Sequence, residues 1–299
     1  MRLRKNRNAP KPYNRRFLVI AVVGFLLVGW GGLFLFFATD PTVVASIVKN
    51  VTHSSTNINL RGRGDVHGGL SNPSMPKLVT NVEPEAPAKK RVAYAVTVTK
   101  DGKFVDGALV LGYAAKRVHD ASKGFPSEYD VDLVAFVVPS VVHARPILKR
   151  HGWRVLERPL PVALNEIKNK AYAEKMRDSG CCGADEFLKL WAYTLTEYER
   201  VIHLDMDSIV FQNMDELYKM DYGLLHTSDY NMGTKPVPPV QGGFLVVRPS
   251  MDIFTEFQNI IRKGDYGRAG WGGTHVGKFW GGQTIQGIMP YFYYKLHPG

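Results

Sequence analysis

The spacing of hydrophobic and polar positions divides the chain into three regimes. From Phe17 to Ala38, "FLVIAVVGFLLVGWGGLFLFFA", 22 residues run without a charge, long enough to cross a hydrocarbon core of about 30 Å. From Asp40 to about Lys90 neither a period of 2 nor one of 3.6 is sustained. Ser, Asn, Gly and Pro dominate there, as in "RGRGDVHGGLSNPSMPK", and the stretch reads as a flexible stem. Beyond Arg91 apolar runs alternate with amphipathic ones. "RVAYAVTVT" is β-branched and stops at the turn signal Lys100-Asp101-Gly102. "FVDGALVLGYAAKRVH" has helical spacing through Val105, Leu109 and Tyr113. "VDLVAFVVP" is a continuous apolar strand of the kind covered on both faces. A helix over 140–151, a strand at "WRVLERP" and looser sequence to about residue 183 follow. "ADEFLKLWAYTLTEYERV" carries a helical stripe of Phe187, Leu190, Trp191, Thr194, Leu195 and Tyr198, and feeds a strand at 201–205. "YGLLHT" and "GFLVVRP" read as two further strands. Strands alternating with helices predict an α/β layered domain with a mostly parallel sheet.

Charge changes the picture at the N-terminus only. The net charge is +11, but Arg2, Arg4, Lys5, Arg7, Lys11, Arg15 and Arg16 precede any acid and carry seven of those charges, leaving +4 for the rest. No basic stripe with interleaved aromatics occurs elsewhere, so nucleic acid is not expected as a partner. A basic tail before a long apolar run predicts an uncleaved anchor with its N-terminus in the cytosol. The expected organisation is a cytosolic tail at 1–16, a transmembrane helix at 17–38, a stem at 39–90 and a catalytic domain at 91–299 facing the lumen. The sequon Asn50-Val51-Thr52 agrees with that exposure. Cys181 and Cys182 are adjacent, a spacing that rarely reaches disulfide geometry, and are read as free thiols.

The chemistry centres on "VIHLDMDSIVF", residues 201–211, an apolar run holding Asp205 and Asp207. Carboxylates in such a run need a positive counterpart. Ligands of open α/β sheets gather at the carboxyl ends of strands, and positions i and i+2 of a strand point the same way. Two carboxylates meeting at a strand end form a hard oxygen site suited to Mn²⁺ or Mg²⁺, which commonly holds phosphates as well. Two phosphate chemistries use Asp-x-Asp after an apolar strand. One is that of haloacid-dehalogenase-like phosphatases, in which "LDMDSIV" would present Asp205 as nucleophile; that motif normally lies near the start of its domain, whereas here ordered sequence precedes it from Arg91. The other is transfer of a sugar from a nucleotide.

The surrounding residues resemble glycosyltransferase family 8, the retaining, glycogenin-like enzymes. "AVTVTKDGKFVDGALVLG" is similar to that family's opening strand, loop and helix. "KLWAYTLTEYERVIHLDMDSIVFQNMDELY" resembles its most specific stretch, and "VQGGFLVVRPS" the segment that follows. The resemblance implies a GT-A (nucleotide-diphospho-sugar transferase) fold binding a UDP-sugar and Mn²⁺, with Mg²⁺ as the alternative. Asp205 and Asp207 take the places of the metal-binding aspartates and Met206 lies at the ribose. Val98, Lys100, Asp101 and Phe104 fall where the family holds the uridine, with Phe104 available for stacking. Lys189 matches the lysine that contacts the donor's phosphates or sugar, although periodicity alone places it opposite the apolar stripe. Gln241 and Gly242 occupy the sugar-binding position.

The sequence also departs from the family pattern. The later Asp-Gln-Gly of the family is replaced within "WGGQTIQGIMPYF", where either Gln283 or Ile285 stands in the acid's place. Gln283, Gln286 and Lys189 are the candidate catalytic residues. The late segment that supplies a metal-ligating histidine is missing; "HVGKFW" is a compressed echo of it, and the domain is expected to be incomplete at its C-terminus. The Gly-rich "RAGWGGTHVGKFWGG" reads equally as a mobile loop or as an acceptor wall with Trp271 and Trp280 exposed. These features together predict a Golgi or other secretory-pathway enzyme of type II topology, acting on a glycan or glycoprotein acceptor. Its rival from another class is a membrane-anchored glycan-binding protein of the same fold without turnover.

Overall fold

The computed structural model describes residues 17–20, 89–124, 126–177, 183–228, 237 and 239–298. In chain order the main elements are β1 (Phe17–Ile20), β2 (Lys90–Val98), α1 (Phe104–Arg117), β3 (Tyr129–Val137), α2 (Ala144–Arg150), β4 (Trp153–Glu157) and α3 (Lys170–Arg177). A 3₁₀ run (Ala184–Thr194) comes next, then β5 (Arg200–Leu204), α4 (Asp215–Lys219), β6 (Leu224–Ser228), β7 (Val240–Val247) and α5 (Met251–Lys263). The short strands β8 (Tyr266–Gly267) and β9 (Gly270–Trp271) precede α6 (Ile285–Pro290), which continues as a π-helical turn (Tyr291–Leu296). Chain contacts separate residues 1–35 and 90–299 from residues 36–89, and all of these elements belong to the first group.

Seven strands form one sheet in the order β1-β6-β7-β5-β2-β3-β4. Every pairing is parallel except those of β7, which runs against both β5 and β6. The sheet is thus α/β and mostly parallel, as the alternation of strands and helices predicts. Its side chains alternate between two apolar layers. From β2, Ala93 and Ala95 face one layer, with Phe187, Leu190 and Tyr193 of the 3₁₀ run and Phe254 and Phe257 of α5. Val92, Tyr94 and Val96 face the other, with Val105, Ala108 and Leu111 of α1. The continuous apolar runs of β2, β3 and β5 are what a sheet covered on both faces requires.

Three expectations change. The stripe across 184–201 is not one α-helix: the segment is 3₁₀ to Thr194, then turns before β5. The looser sequence before residue 183 contains α3, whose Tyr172, Ala173 and Met176 are buried. Of the expected transmembrane helix, only Phe17–Ile20 is described, and it is a strand, paired parallel with β6 from Phe17↔Leu224 to Ile20↔Thr227. A short apolar, β-branched run suits a strand as well as a helix. No described helix is long and apolar enough to cross a membrane. The rest of the span, the basic tail, nearly all of the stem with its sequon, and Cys181 and Cys182 lie outside the described residues.

Candidate active site

β2 and β5 are parallel neighbours that end at one edge of the sheet, β2 at Val98 running two residues past the level of Leu204, where β5 stops. Because β7 is antiparallel, its beginning rather than its end reaches the same edge: Phe244 pairs with Leu204, and Asp205 N–H donates to the Gly243 carbonyl at 3.1 Å. This brings Gln241, Gly242 and Gly243 against the Asp-x-Asp turn. The opposite wall is α1. A Cβ at Gly107 would lie 2.4 Å from the Met206 carbonyl oxygen, so only glycine lets the first turns of α1 approach the backbone between the two aspartates.

Asp205 follows Val201 and His203 on the sheet face covered by the 3₁₀ run, and there it meets Lys189. The Lys189 ammonium lies 2.9 Å from Asp205 Oδ1 and 3.0 Å from Glu186 Oε2, and donates to the Gly242 carbonyl at 3.1 Å. Its side chain is 6% exposed while that of Asp205 is 42% exposed. Burial alone would lower the Lys189 pKa, but Asp205 and then Glu186 outweigh it and the pKa is raised. Burial likewise acts to raise the Asp205 pKa, and the Lys189 charge with its hydrogen bond reverses that, holding the carboxyl below its usual range. Both groups are therefore charged at neutral pH. The solvated face that 3.6-residue periodicity assigns to Lys189 is wrong, because three residues per turn rotate it onto the sheet edge.

Asp205 and Asp207 do not share a face as two strand residues would. The strand ends at Leu204, and Ser208 N–H donates to the Asp205 carbonyl at 3.0 Å, closing a turn that carries Asp207 into solvent. The two carboxylates remain one residue apart at the ligand edge, with no hydrogen bond to Asp205 Oδ2 or the Asp207 side chain among the described residues. That donor set is of the hard oxygen kind that suits a divalent cation. Among the described residues no group of three or more His, Cys, Asp and Glu side chains is placed to hold a metal. His275 of the echo "HVGKFW" is exposed and is not part of such a group.

The other sequence-derived residues separate into two sets. Gln241 Oε1 accepts from Gly243 N–H at 2.7 Å, which folds the amide back over the strand start. A Cβ at Gly242 would meet Ile285 Cγ2 at 2.9 Å, Lys189 Nζ at 3.5 Å and Gln286 Cγ at 3.7 Å. Ile285 and Gln286 thus lie against Gly242, on the lysine's side. Gln283 is buried, and its carbonyl accepts from the Tyr172 hydroxyl at 2.8 Å. Of the residues expected to hold the uridine, Val98 is buried, whereas Lys100 and Phe104 are exposed. Asp101 instead caps a neighbouring helix, its carboxylate accepting from Val142 N–H at 3.0 Å and Ala144 N–H at 2.8 Å at the head of α2. These backbone bonds, that of Val142 foremost, lower its pKa. Trp271, expected exposed, is fully buried, while Trp280 is 74% exposed. Sequence patterns do not single out Glu186, whose only signal is an acid three residues before Lys189. Nor do they single out Gly107 and Gly243, which provide room: a Cβ at Gly243 would lie 2.8 Å from Asp205 Oδ2.

With this geometry in place, relatives of the chain can be compared. Inositol phosphorylceramide glucuronosyltransferase 1 of Arabidopsis thaliana is 26% identical over 173 residues, covering 58% of this chain and 27% of that protein. Galactinol synthase 1 of Solanum lycopersicum is 24% identical over 206 residues, 62% of this chain and 58% of that protein. The chain is a homologue of family 8 glycosyltransferases. UDP-glucuronate:xylan alpha-glucuronosyltransferase 2 of Arabidopsis thaliana is a third such relative, 26% identical over 180 residues, 59% of this chain and 25% of that protein. The chain therefore spans between about a quarter and three fifths of the length of these curated relatives. Among solved structures, an active-site mutant of LgtC aligns at a TM-score of 0.37 and 14% identity, over 58% of this chain and 61% of that one. No family model matches the chain.

Proposed function

We propose that the protein is a GT-A-type glycosyltransferase that moves a hexose-type sugar from a UDP donor to a glycan or glycoprotein acceptor, with retention and with Mn²⁺ or Mg²⁺. The observation that carries this reading is the buried Lys189 clamped to Asp205 and to the Gly242 carbonyl, at the edge where β2, β5 and β7 meet. A cation held by Asp205 and Asp207 would supply positive charge beside the diphosphate as it departs. Around it, Lys189 fixes the first carboxylate, Gly243 leaves room for it, and Gly107 lets the Met206 backbone face the ribose. Phe104 offers a ring for the base, while Gln241 and Gln286 offer amides that both donate to and accept from sugar hydroxyls. Transfer on one face of the sugar, within an ion pair, is the course that the resemblance to the retaining family 8 enzymes implies. The exposed Trp280 provides a flat apolar surface for an acceptor sugar. The names of the relatives, two of them glucuronosyltransferases and one naming UDP-glucuronate, make UDP-glucuronate a donor to include in any panel.

The test is UDP release from a panel of UDP-sugars, with and without Mn²⁺, in the natural full-length protein and its Asp207→Ala variant. The expected result is metal-dependent release that falls at least about a hundredfold in the variant, as for loss of an electrostatic stabiliser of the departing group. Phosphate-ester hydrolysis abolished by Asp205→Asn, without any UDP release, would establish the phosphatase chemistry instead. Donor binding with no release would establish the glycan-binding role.

A further inference from the structure

Among the described residues, Glu186 is an acid at this edge that the proposed function does not use. It sits one 3₁₀ turn before Lys189, and in a helix of three residues per turn positions i and i+3 eclipse. The short pairing distance, 3.0 Å, follows from that geometry. The ammonium has three protons to donate, and all three have acceptors here: Asp205 Oδ1, Glu186 Oε2 and the Gly242 carbonyl. One buried cation is thus shared by two carboxylates, Asp205, 42% exposed, and Glu186, 27% exposed.

We propose that Glu186 is a positioning residue for the divalent-cation site, acting through Lys189. It holds the ammonium in place and balances its charge, which fixes Asp205 Oδ1 on the lysine and leaves Oδ2 for the cation. Asp205 can then give charge to a metal ion without leaving Lys189 as a buried ammonium with only a carbonyl for company, an arrangement that is strongly disfavoured. With Glu186 neutral, the uncompensated lysine repels the incoming ion. This inference rests on the proposed cation site at Asp205 and Asp207.

Mn²⁺ binding in the presence of UDP, measured by titration calorimetry on the full-length protein, tests it without any turnover. Glu186→Gln is expected to weaken Mn²⁺ binding by about tenfold or more, the usual effect of losing a partner behind a metal ligand. Glu186→Asp keeps the charge and is expected to stay closer to the wild type than to Glu186→Gln. In a Lys189→Met background, which removes the ammonium Glu186 serves, adding Glu186→Gln is expected to change the affinity by less than about twofold. This pair also covers the case in which Glu186→Gln alone does not fold, since no buried ammonium is left without its carboxylate. If Glu186→Gln binds Mn²⁺ as tightly as the wild type, or weakens it equally with and without Lys189, the positioning role is overturned and the proposed function stands. If the wild type binds no Mn²⁺ with UDP, both fall together.

Discussion

His203 lies two positions before Asp205 on the same face of β5, with Nε2 2.8 Å from Thr97 Oγ1. Burial first, and then the Lys189 charge, push its pKa down to about 3. The folded protein therefore holds a neutral imidazole, whereas the unfolded chain protonates it near pH ~6.5. Between those two values the unfolded state carries the extra proton, so stability grows with rising pH by about 1.4 kcal/mol per pH unit and levels off above about 6.5. His119 and His226, both with pKa lowered by burial, act in the same sense. Urea midpoints are expected to climb steeply up to pH ~6.5 and then flatten, and His203→Gln is expected to make the climb shallower. An identical climb in the variant would clear His203 of the effect. The sequence announced the two aspartates and the lysine, because charges in or beside apolar runs stand out. It did not announce Glu186 or Gly243, since an acid or a glycine there is unremarkable until its neighbour in space is known.

The 3₁₀ run shows where reading elements from spacing fails. Phe187, Leu190 and Trp191 fit both three and 3.6 residues per turn over so short a stretch, yet the choice decides whether Lys189 meets solvent or Asp205. The Gly-rich stretch before α6 fails in the opposite direction. Its composition suggests a mobile loop, but the Trp271 indole N–H donates to the Gly282 carbonyl at 2.8 Å, and Tyr266 and Thr284 hydroxyls donate to the carbonyls of Gly277 and Gly281. Gly282 packs so closely on Gly277 that a Cβ would lie 2.0 Å from its carbonyl oxygen. Trp271 and Trp280 thus separate into an internal prop and an external surface. Trp271→Ala is expected to cost about 3–5 kcal/mol in denaturant unfolding, as for other large-to-small core changes. Trp280→Ala is expected to move stability by less than about 0.5 kcal/mol while raising the acceptor KM and leaving UDP-sugar hydrolysis intact. Equal stability losses would show that both rings are structural.

The α/β class and the parallel strands were readable because a sheet covered on both faces leaves continuous apolar runs. The strand order was not, and neither was the reversal of β7, since both are set by pairings between segments far apart in the chain. The buried Arg200 guanidinium, donating to the carbonyls of Tyr218, Met220 and Tyr222, ties β5 to the segment before β6 in a way no local pattern reveals. If the site binds as proposed, UDP with Mn²⁺ at about a hundred times its Kd should stabilise the protein by about 2.7 kcal/mol. A calorimetric melting temperature unmoved by the pair would count against the site.

The close packing of Ile285 and Gln286 on Gly242 has a consequence in time. In the proposed site, the uridine is held by residues near Lys100 and the sugar by residues near Gln286. At a synthesis rate of roughly 5–20 residues per second, the second set leaves the ribosome roughly ten to forty seconds after the first. Lys189 and Asp205 are only 16 residues apart and leave the ribosome within roughly one to three seconds of each other. The cradle itself closes only once the residues around Gln286 have been made. Capture of the donor would then double as a check on completion, something a nascent molecule cannot pass.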